Sequence, residues 1–266
     1  MQKTVARLFI IGLLFFTVWY SLTQINWVTI FNIEKAGSTT EKKLGELFWD
    51  LLKHTNTEFH NKKIIAPVDT LLTHLCTANG IDRQKIKLHV INKDDINAFA
   101  LPDRHIVVFS GLIEFCDSES ELAGVLGHEL AHAEKNHIMK KLIKEIGLSV
   151  LISITTGKSN PELIKEAIKL LSSTAYDRTL EQEADVAAVE FLLESGIDPE
   201  PFANFLFRLS QQDNHLTKKL SWINTHPDSE ERAKDIIEYI GGKNVTNEQV
   251  LASDTWNTLK DRLREN

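Results

Sequence analysis

The sequence predicts a mainly helical α+β domain with a small sheet, preceded by one N-terminal transmembrane helix. Three observations predict it. Apolar residues recur at helical spacing over most of the chain, with capping signals at several helix starts. Strand character is confined to two short runs, residues 87–92 and 104–109. Residues 8–33 carry no charge at all. The 266-residue length suits one well-buried domain with appendages, and 42% hydrophobic against 25% charged residues is ordinary globular composition. The division read from the sequence is 1–33 as membrane anchor, 34–240 as the domain, and 241–266 as a polar C-terminal tail, a loosely attached helix after Gly241-Gly242.

Lys3 and Arg7 precede the uncharged segment, whose first half, 8–20, is almost purely apolar. A helix rising ~1.5 Å per residue crosses a ~30 Å hydrocarbon core within a segment of this length. A cleaved signal peptide competes with this reading, because the densest apolar part is short. However, Ser21-Leu22-Thr23 is a poor cleavage site, and Trp19, Tyr20 and Trp27 suit an interfacial anchor. The expectation is a retained anchor with the domain outside the cytoplasm, although Lys35, Lys42 and Lys43 dilute the positive-inside bias of Lys3 and Arg7. With 30 basic against 37 acidic residues and no basic run, a nucleic-acid partner is not expected. Cys76 and Cys116 stand in apolar surroundings and read as reduced, packed cysteines.

Along the domain, residues 40–54 and 68–79 read as amphipathic helices, the second ended by Gly80. The two strands follow, with Asn97-Ala98-Phe99-Ala100-Leu101-Pro102 between them. Ser118 with Glu121 three residues later forms a capping box that opens a central helix, with Leu122, Leu126, Leu130 and Ala133 on its buried face. Gly124 and Gly127 each weaken a helix by up to ~1 kcal/mol, which close approach of a neighbour would explain. The apolar stretch 146–156 is only about eleven residues long, too short to cross a bilayer, and reads as a buried helix or a flank of the active-site cleft. Thr179 and Gln182 form a second capping box for a helix through Leu193, with Gly196 as its C-terminal cap and Pro199 just beyond.

The strongest chemical signal is His128-Glu129-Leu130-Ala131-His132. Imidazoles four residues apart share one helix face and can reach a single metal ion. Zinc takes neutral nitrogen ligands at ~2.0–2.1 Å, and a catalytic site keeps one position open for water. Glu129 stands beside that position, placed to take a proton from water whose pKa the metal lowers toward ~7. Such a pentad arises by chance in roughly one chain of this size in a hundred, so its context has to decide. A third ligand at the His-x-x-Gly-x-x-His spacing fails, since Lys135 replaces the Gly and Ile138 the last His. His137 is one place too early and points off the face used by His132. No acidic residue lies between Glu145 and Glu162, so the next candidates are Glu181, Glu183 and Asp185. Glu181 and Asp185 share a helix face, while Glu183 points about 200° from Glu181 and reads as a solvated acid.

These motifs resemble those of the zinc endopeptidases that include the CAAX prenyl protease and the HtpX-type heat-shock proteases, and look closest to bacterial periplasmic or membrane-anchored members. The resemblance covers roughly residues 64–232. It rests on the 97–102 segment, Ile106-Val107-Val108, Ser110-Gly111-Leu112, the Gly127–His132 motif, Arg178, Glu181-Gln182-Glu183-Ala184-Asp185, Thr225-His226-Pro227 and Glu231-Arg232. It implies a zincin-like metallopeptidase domain over 34–240, holding one Zn2+ per subunit and acting on protein or peptide substrates. It also implies work in envelope protein quality control, with a bacterial inner-membrane anchor and a periplasmic catalytic domain. Matched by position, the metal ligands are His128, His132 and Glu181, with Asp185 supporting them. Glu129 and His226 are catalytic, and Asn97, Ala98, Phe99 and Arg232 contact substrate. The strand after Pro102 would be the edge that aligns substrate backbone.

One departure is Asp103-Arg104-His105, where the family usually carries a Gly pair; His105 reads there as a surface turn residue. His226 either steadies an oxyanion or approaches the metal. Its alternative is a helix-entry turn, with Pro227 at the first helical position and Arg232 on the surface. A zinc-containing chaperone-like or scaffold relative is the competing function, and Glu129 argues for catalysis. A helical adaptor with a chance motif is the third possibility, and it would hold no stoichiometric metal.

Overall fold

A computed structural model describes residues 33–157, 160–212, 221–243 and 248–265. Residues 1–32, all but the last residue of the expected anchor, lie outside them. The chain runs through α1 (Ile33–Thr55), β1 (Thr57–Glu58), α2 (Lys62–Ala78), β2 (Lys87–Asn92), β3 (Ala98–Leu101) and β4 (His105–Phe109). Then come α3 (Ser110–Phe115), α4 (Glu119–Glu134), α5 (His137–Glu145), α6 (Leu148–Thr155), α7 (Pro161–Ser173) and α8 (Arg178–Glu194). It ends with α9 (Glu200–Ser210), α10 (Ser221–Thr225), α11 (Ser229–Ile240) and α12 (Ser253–Arg264). This is the mainly helical α+β architecture the sequence predicts. Among the described residues no helix is long and apolar enough to cross a membrane.

The sheet has the order β1-β2-β4-β3. Side chains alternate across a strand. Accordingly, Ile106 and Val108 of β4 enter one apolar cluster, with Leu71, Leu126 and Phe205, while Val107 and Phe109 enter a second, with Phe48 and Leu142. Leu151 and Ile154 of α6 are buried in the second cluster, so the apolar 146–156 stretch serves as a packed helix. Cys76 and Cys116 are buried and unpaired.

The substrate-aligning edge expected after Pro102 is not there. β4 is flanked on both sides, parallel to β2 and antiparallel to β3, and the outer strand is β3. The run Ala98-Phe99-Ala100-Leu101 has no β-branched residue, so its strand state comes from pairing rather than local preference. The β3–β4 turn explains the departure from a Gly pair. Asp103 and Arg104 both adopt left-handed backbone, with φ of 59° and 57°, where glycine has no Cβ to clash. Lys87 pairs with Asp103, and Arg104 Nε lies 2.7 Å from Glu134. His105 is not a surface residue either. It is 3% exposed in β4, 2.9 Å from His89 Nε2, and burial pushes it down to about 3.

Helix starts divide. Ser118 Oγ accepts from Glu121 N–H as its capping box requires, at 3.3 Å. The reciprocal half differs, since the Glu121 carboxylate takes Asp117 N–H and both terminal nitrogens of Arg208. The second capping box does not form. α8 starts after Asp177, which puts Thr179 inside the helix, while Gly196 with φ 68° follows its C-cap residue. The tail is no loose appendage: Trp256, Leu259 and Leu263 of α12 are buried in the main core cluster.

The two glycines of α4 differ in what they face. A Cβ on Gly124 would overlap the Phe202 side chain of α9, whereas one on Gly127 would sit 3.7 Å from Ala188 Cα, an ordinary contact. Gly124→Ala is therefore expected to destabilise by about 1–3 kcal/mol through overpacking, despite better helix propensity. Gly127→Ala should be neutral or stabilising by up to ~1 kcal/mol. Urea unfolding midpoints check this; equal shifts for the two variants would refute the packing argument.

Candidate metal centre

Four elements converge on one cluster of side chains. α4 supplies His128, Glu129 and His132; α8 supplies Glu181 and Asp185. The short helix α10 carries Trp222 and leads into His226, and α11 contributes Arg232. Small residues let the two ligand-bearing helices lie close, with Gly127 of α4 against Ala188 of α8.

His128, His132, Glu181 and His226 each offer one donor atom, all lying within 4.8 Å of one another. His128 Nε2 is 3.0 Å from His132 Nε2 and 3.6 Å from Glu181 Oε2. His132 Nε2 is 3.3 Å from Glu181 Oε1, and His226 Nδ1 is 3.1 Å from His128 Nε2 and 3.0 Å from Glu181 Oε1. Tetrahedral bonds of ~2.0–2.1 Å separate neighbouring donors by about 3.3 Å, so this spacing fits a tetrahedral cation. The charge balance agrees. Buried Glu129, Glu181 and Asp185 outnumber buried Arg232; burial would lower the His226 imidazole, but Glu181 and Glu129 outweigh it and raise it, and the same excess of negative charge suits a divalent ion.

The surroundings favour the ligand form of His128, His132 and Glu181. Asp185 Oδ1 lies 3.0 Å from His128 Nδ1, placing the ring proton there and the lone pair on Nε2. Arg232 donates from Nε and Nη2 to Asp185, both at 2.7 Å, while Nη1 lies 2.8 Å from Glu181. Burial alone would raise the Glu181 and Asp185 carboxyls. His226 and Arg232 outweigh it at Glu181 and hold that group well below the usual carboxylate range; Arg232 and His128 lower Asp185. At Glu129, burial is again outweighed, chiefly by His226, and the carboxyl is lowered. Burial pushes His132 down to about 3, which keeps it neutral.

Arg232 therefore does not lie on the surface: it is 4% exposed and clamps two carboxylates. Pro227 is not the first helical residue, because α11 begins at Ser229 after Asp228 in left-handed conformation, φ 60°. His226 instead bridges the site, with Nδ1 at Glu181 and Nε2 3.3 Å from Glu129 Oε1. Asn97, Ala98 and Phe99, expected to contact substrate, are buried, at 1%, 0% and 1% exposed.

Other residues at the site carried no motif. Trp222 donates from Nε1 to Glu129 Oε1 at 3.4 Å and stacks on His226 at 4.4 Å between ring centres. Tyr176 lies 4.2 Å from the His132 ring. His137, set aside by helical projection, is fully buried with Nδ1 3.1 Å from His132 Nδ1. The projection fails because α4 ends at Glu134 and Asn136, φ 56°, turns the chain into α5. Glu183 is partly solvated as expected, yet its Oε2 lies 3.3 Å from His137 Nε2.

A His-Glu-x-x-His helix completed by a glutamate from a second helix is the donor pattern of metallopeptidases. Within that class the chain belongs to Peptidase family M48, which its residues 65–240 match. It is 28% identical over 219 residues to the beta-barrel assembly-enhancing protease of Yersinia pestis, covering 75% of this chain and 44% of that protein. It is 25% identical over 257 residues to the mitochondrial metalloendopeptidase OMA1 of Schizosaccharomyces pombe, covering 91% of this chain and 74% of that protein. Against the mitochondrial metalloendopeptidase OMA1 of Bos taurus it is 30% identical over 191 residues, 65% of this chain and 36% of that protein. The chain thus spans less than half the length of the bacterial protease.

Removing the clamp isolates its contribution. Arg232→Met leaves Asp185 and Glu181 buried without their cation, so stability is expected to fall by about 3–5 kcal/mol. A denaturant midpoint unchanged from the parent would contradict the burial of charge described here.

Proposed function

We propose that this protein is a zinc-dependent endopeptidase that hydrolyses peptide bonds of protein substrates and serves envelope protein quality control. The observation that carries it is the convergence of His128, His132 and Glu181 at tetrahedral spacing with the Glu129 carboxylate alongside. Zinc bound there would polarise the scissile carbonyl and acidify a water molecule. Glu129, kept ionised in the site, accepts the water's proton and returns it to the leaving amine. Asp185 and Arg232 orient His128 and Glu181. His226 Nδ1, beside Glu181, would be a fourth donor to a bound metal, and water would take that place only with the ring turned away. Its Nε2 then serves as a donor to the oxyanion.

A second reading, a zinc-containing chaperone-like relative with little proteolysis, draws support from burial. His128, Glu129, His132, Glu181 and His226 are each no more than 1% exposed. Two variants decide between them. Glu129→Gln is expected to keep zinc and lose peptide cleavage by ~10²–10⁴-fold. Glu181→Gln should lower zinc content and thermal midpoint together, because metal binding is coupled to folding. Cleavage undiminished in Glu129→Gln, or absent in the zinc-loaded parent, would remove the endopeptidase reading.

The uncharged 8–33 segment supports a retained membrane anchor with the catalytic domain on the periplasmic side of a bacterial inner membrane. After alkaline carbonate washing, the full-length protein should stay in the membrane pellet with its N-terminus intact. A mature start near residues 22–27 in mass spectrometry would overturn the anchor.

A further inference from the structure

We propose that Glu183 and His137 act as positioning residues for the metal centre, fixing the tautomer and orientation of His132 from outside the donor cluster. The inference rests on His132 being a metal ligand. His132 Nε2 faces His128 and Glu181, so a ligand-competent ring carries its lone pair there and its proton on Nδ1. The group facing that proton is His137 Nδ1, at 3.1 Å. An imidazole that accepts at Nδ1 carries its own proton on Nε2, and His137 Nε2 lies 3.3 Å from Glu183 Oε2. The two rings meet edge-on at 77°, with centres 5.0 Å apart. One assignment of protons therefore satisfies the whole chain: His132 donates to His137, and His137 donates to Glu183.

The arrangement parallels the other imidazole. His128 is oriented directly by Asp185, and His132 by Glu183 through an intervening ring, so α8 supplies both carboxylates as well as Glu181. Glu183 faces away from Glu181 on α8, and the inserted His137 ring spans the added distance. The chain has one end in water, because the Glu183 side chain is 46% exposed while His137 is fully buried. Asn136 in left-handed backbone is what delivers His137 to this point at the start of α5.

The experiment measures zinc affinity by chelator competition on the full chain, for the parent, Glu183→Gln, Glu183→Ala and His137→Phe. Thermal midpoints of the metal-free proteins and visible spectra of their cobalt forms are recorded alongside. Affinity is expected to fall ~10–100-fold in His137→Phe and Glu183→Ala, and less in Glu183→Gln, which still accepts a hydrogen bond. The cobalt bands should shift in the same order, while the metal-free Glu183 variants melt with the parent. If His137→Phe does not fold, the Glu183 pair still decides. Glu183 variants that bind zinc as tightly as a zinc-binding parent, with unchanged cobalt spectra, overturn the inference, and so does a loss confined to metal-free stability. A parent that binds no zinc would instead sink the metal centre itself, and the inference with it.

Discussion

Burying three carboxylates at one point is the constraint on which the rest of this structure depends. An unpaired ion in a protein interior costs several kcal/mol, and Glu129, Glu181 and Asp185 are all within 5% of complete burial. Arg232 offsets part of that cost through two hydrogen bonds to Asp185 and an ion pair with Glu181. Such a clamp works only if α11 docks firmly against α8, and the buried Ala233 and Ile236 beside Arg232 provide that docking. His226 and Trp222 close the site from the other side. The apolar core thus sets the distances at which charges meet, and the charges dictate which helices must touch.

Aromatic rings complete the enclosure. Tyr176 covers His132, Trp222 covers His226, and the Lys141 ammonium sits 3.9 Å from the Tyr176 ring centre while donating to Thr174 O. Excluding water this way strengthens each electrostatic contact inside. It also keeps the neutral form of His132, the form that binds metal.

How much of this was legible in the sequence follows from how local each cause is. The α4 motif, its Ser118 cap and the β2 and β4 runs are written in neighbouring residues, and so is the shared face of Glu181 and Asp185. β3 was not, because Ala98-Phe99-Ala100-Leu101 becomes a strand only through pairing with β4. His137 was misplaced because extending a helix through Asn136 ignores the reversal there. Arg232 read as a substrate contact, or alternatively as a surface residue, since nothing nearby in sequence announces carboxylates almost fifty positions upstream. Trp222, Tyr176 and the α12 contacts share that origin: each depends on chain that is distant in sequence. The turn at Asp103 and Arg104 is the instructive intermediate case. An unusual pair of residues was visible as a departure, and its meaning, two left-handed backbone positions, needed the fold.

A joint hold of α4 and α8 on one ion would have a topological side. An ion bound by both His128 and Glu181 staples the chain to itself, closing a loop of about fifty residues. In the chain-entropy treatment of disulfides, a loop of that size removes roughly 4 kcal/mol of freedom from the unfolded chain. The looped segment is α5 to α7, where Ile143 and Ile152 remain exposed and the second apolar cluster supplies the packing. For those three helices a bound ion would be as much a crosslink as a reagent, and metal supply would govern how long this part of the protein stays folded.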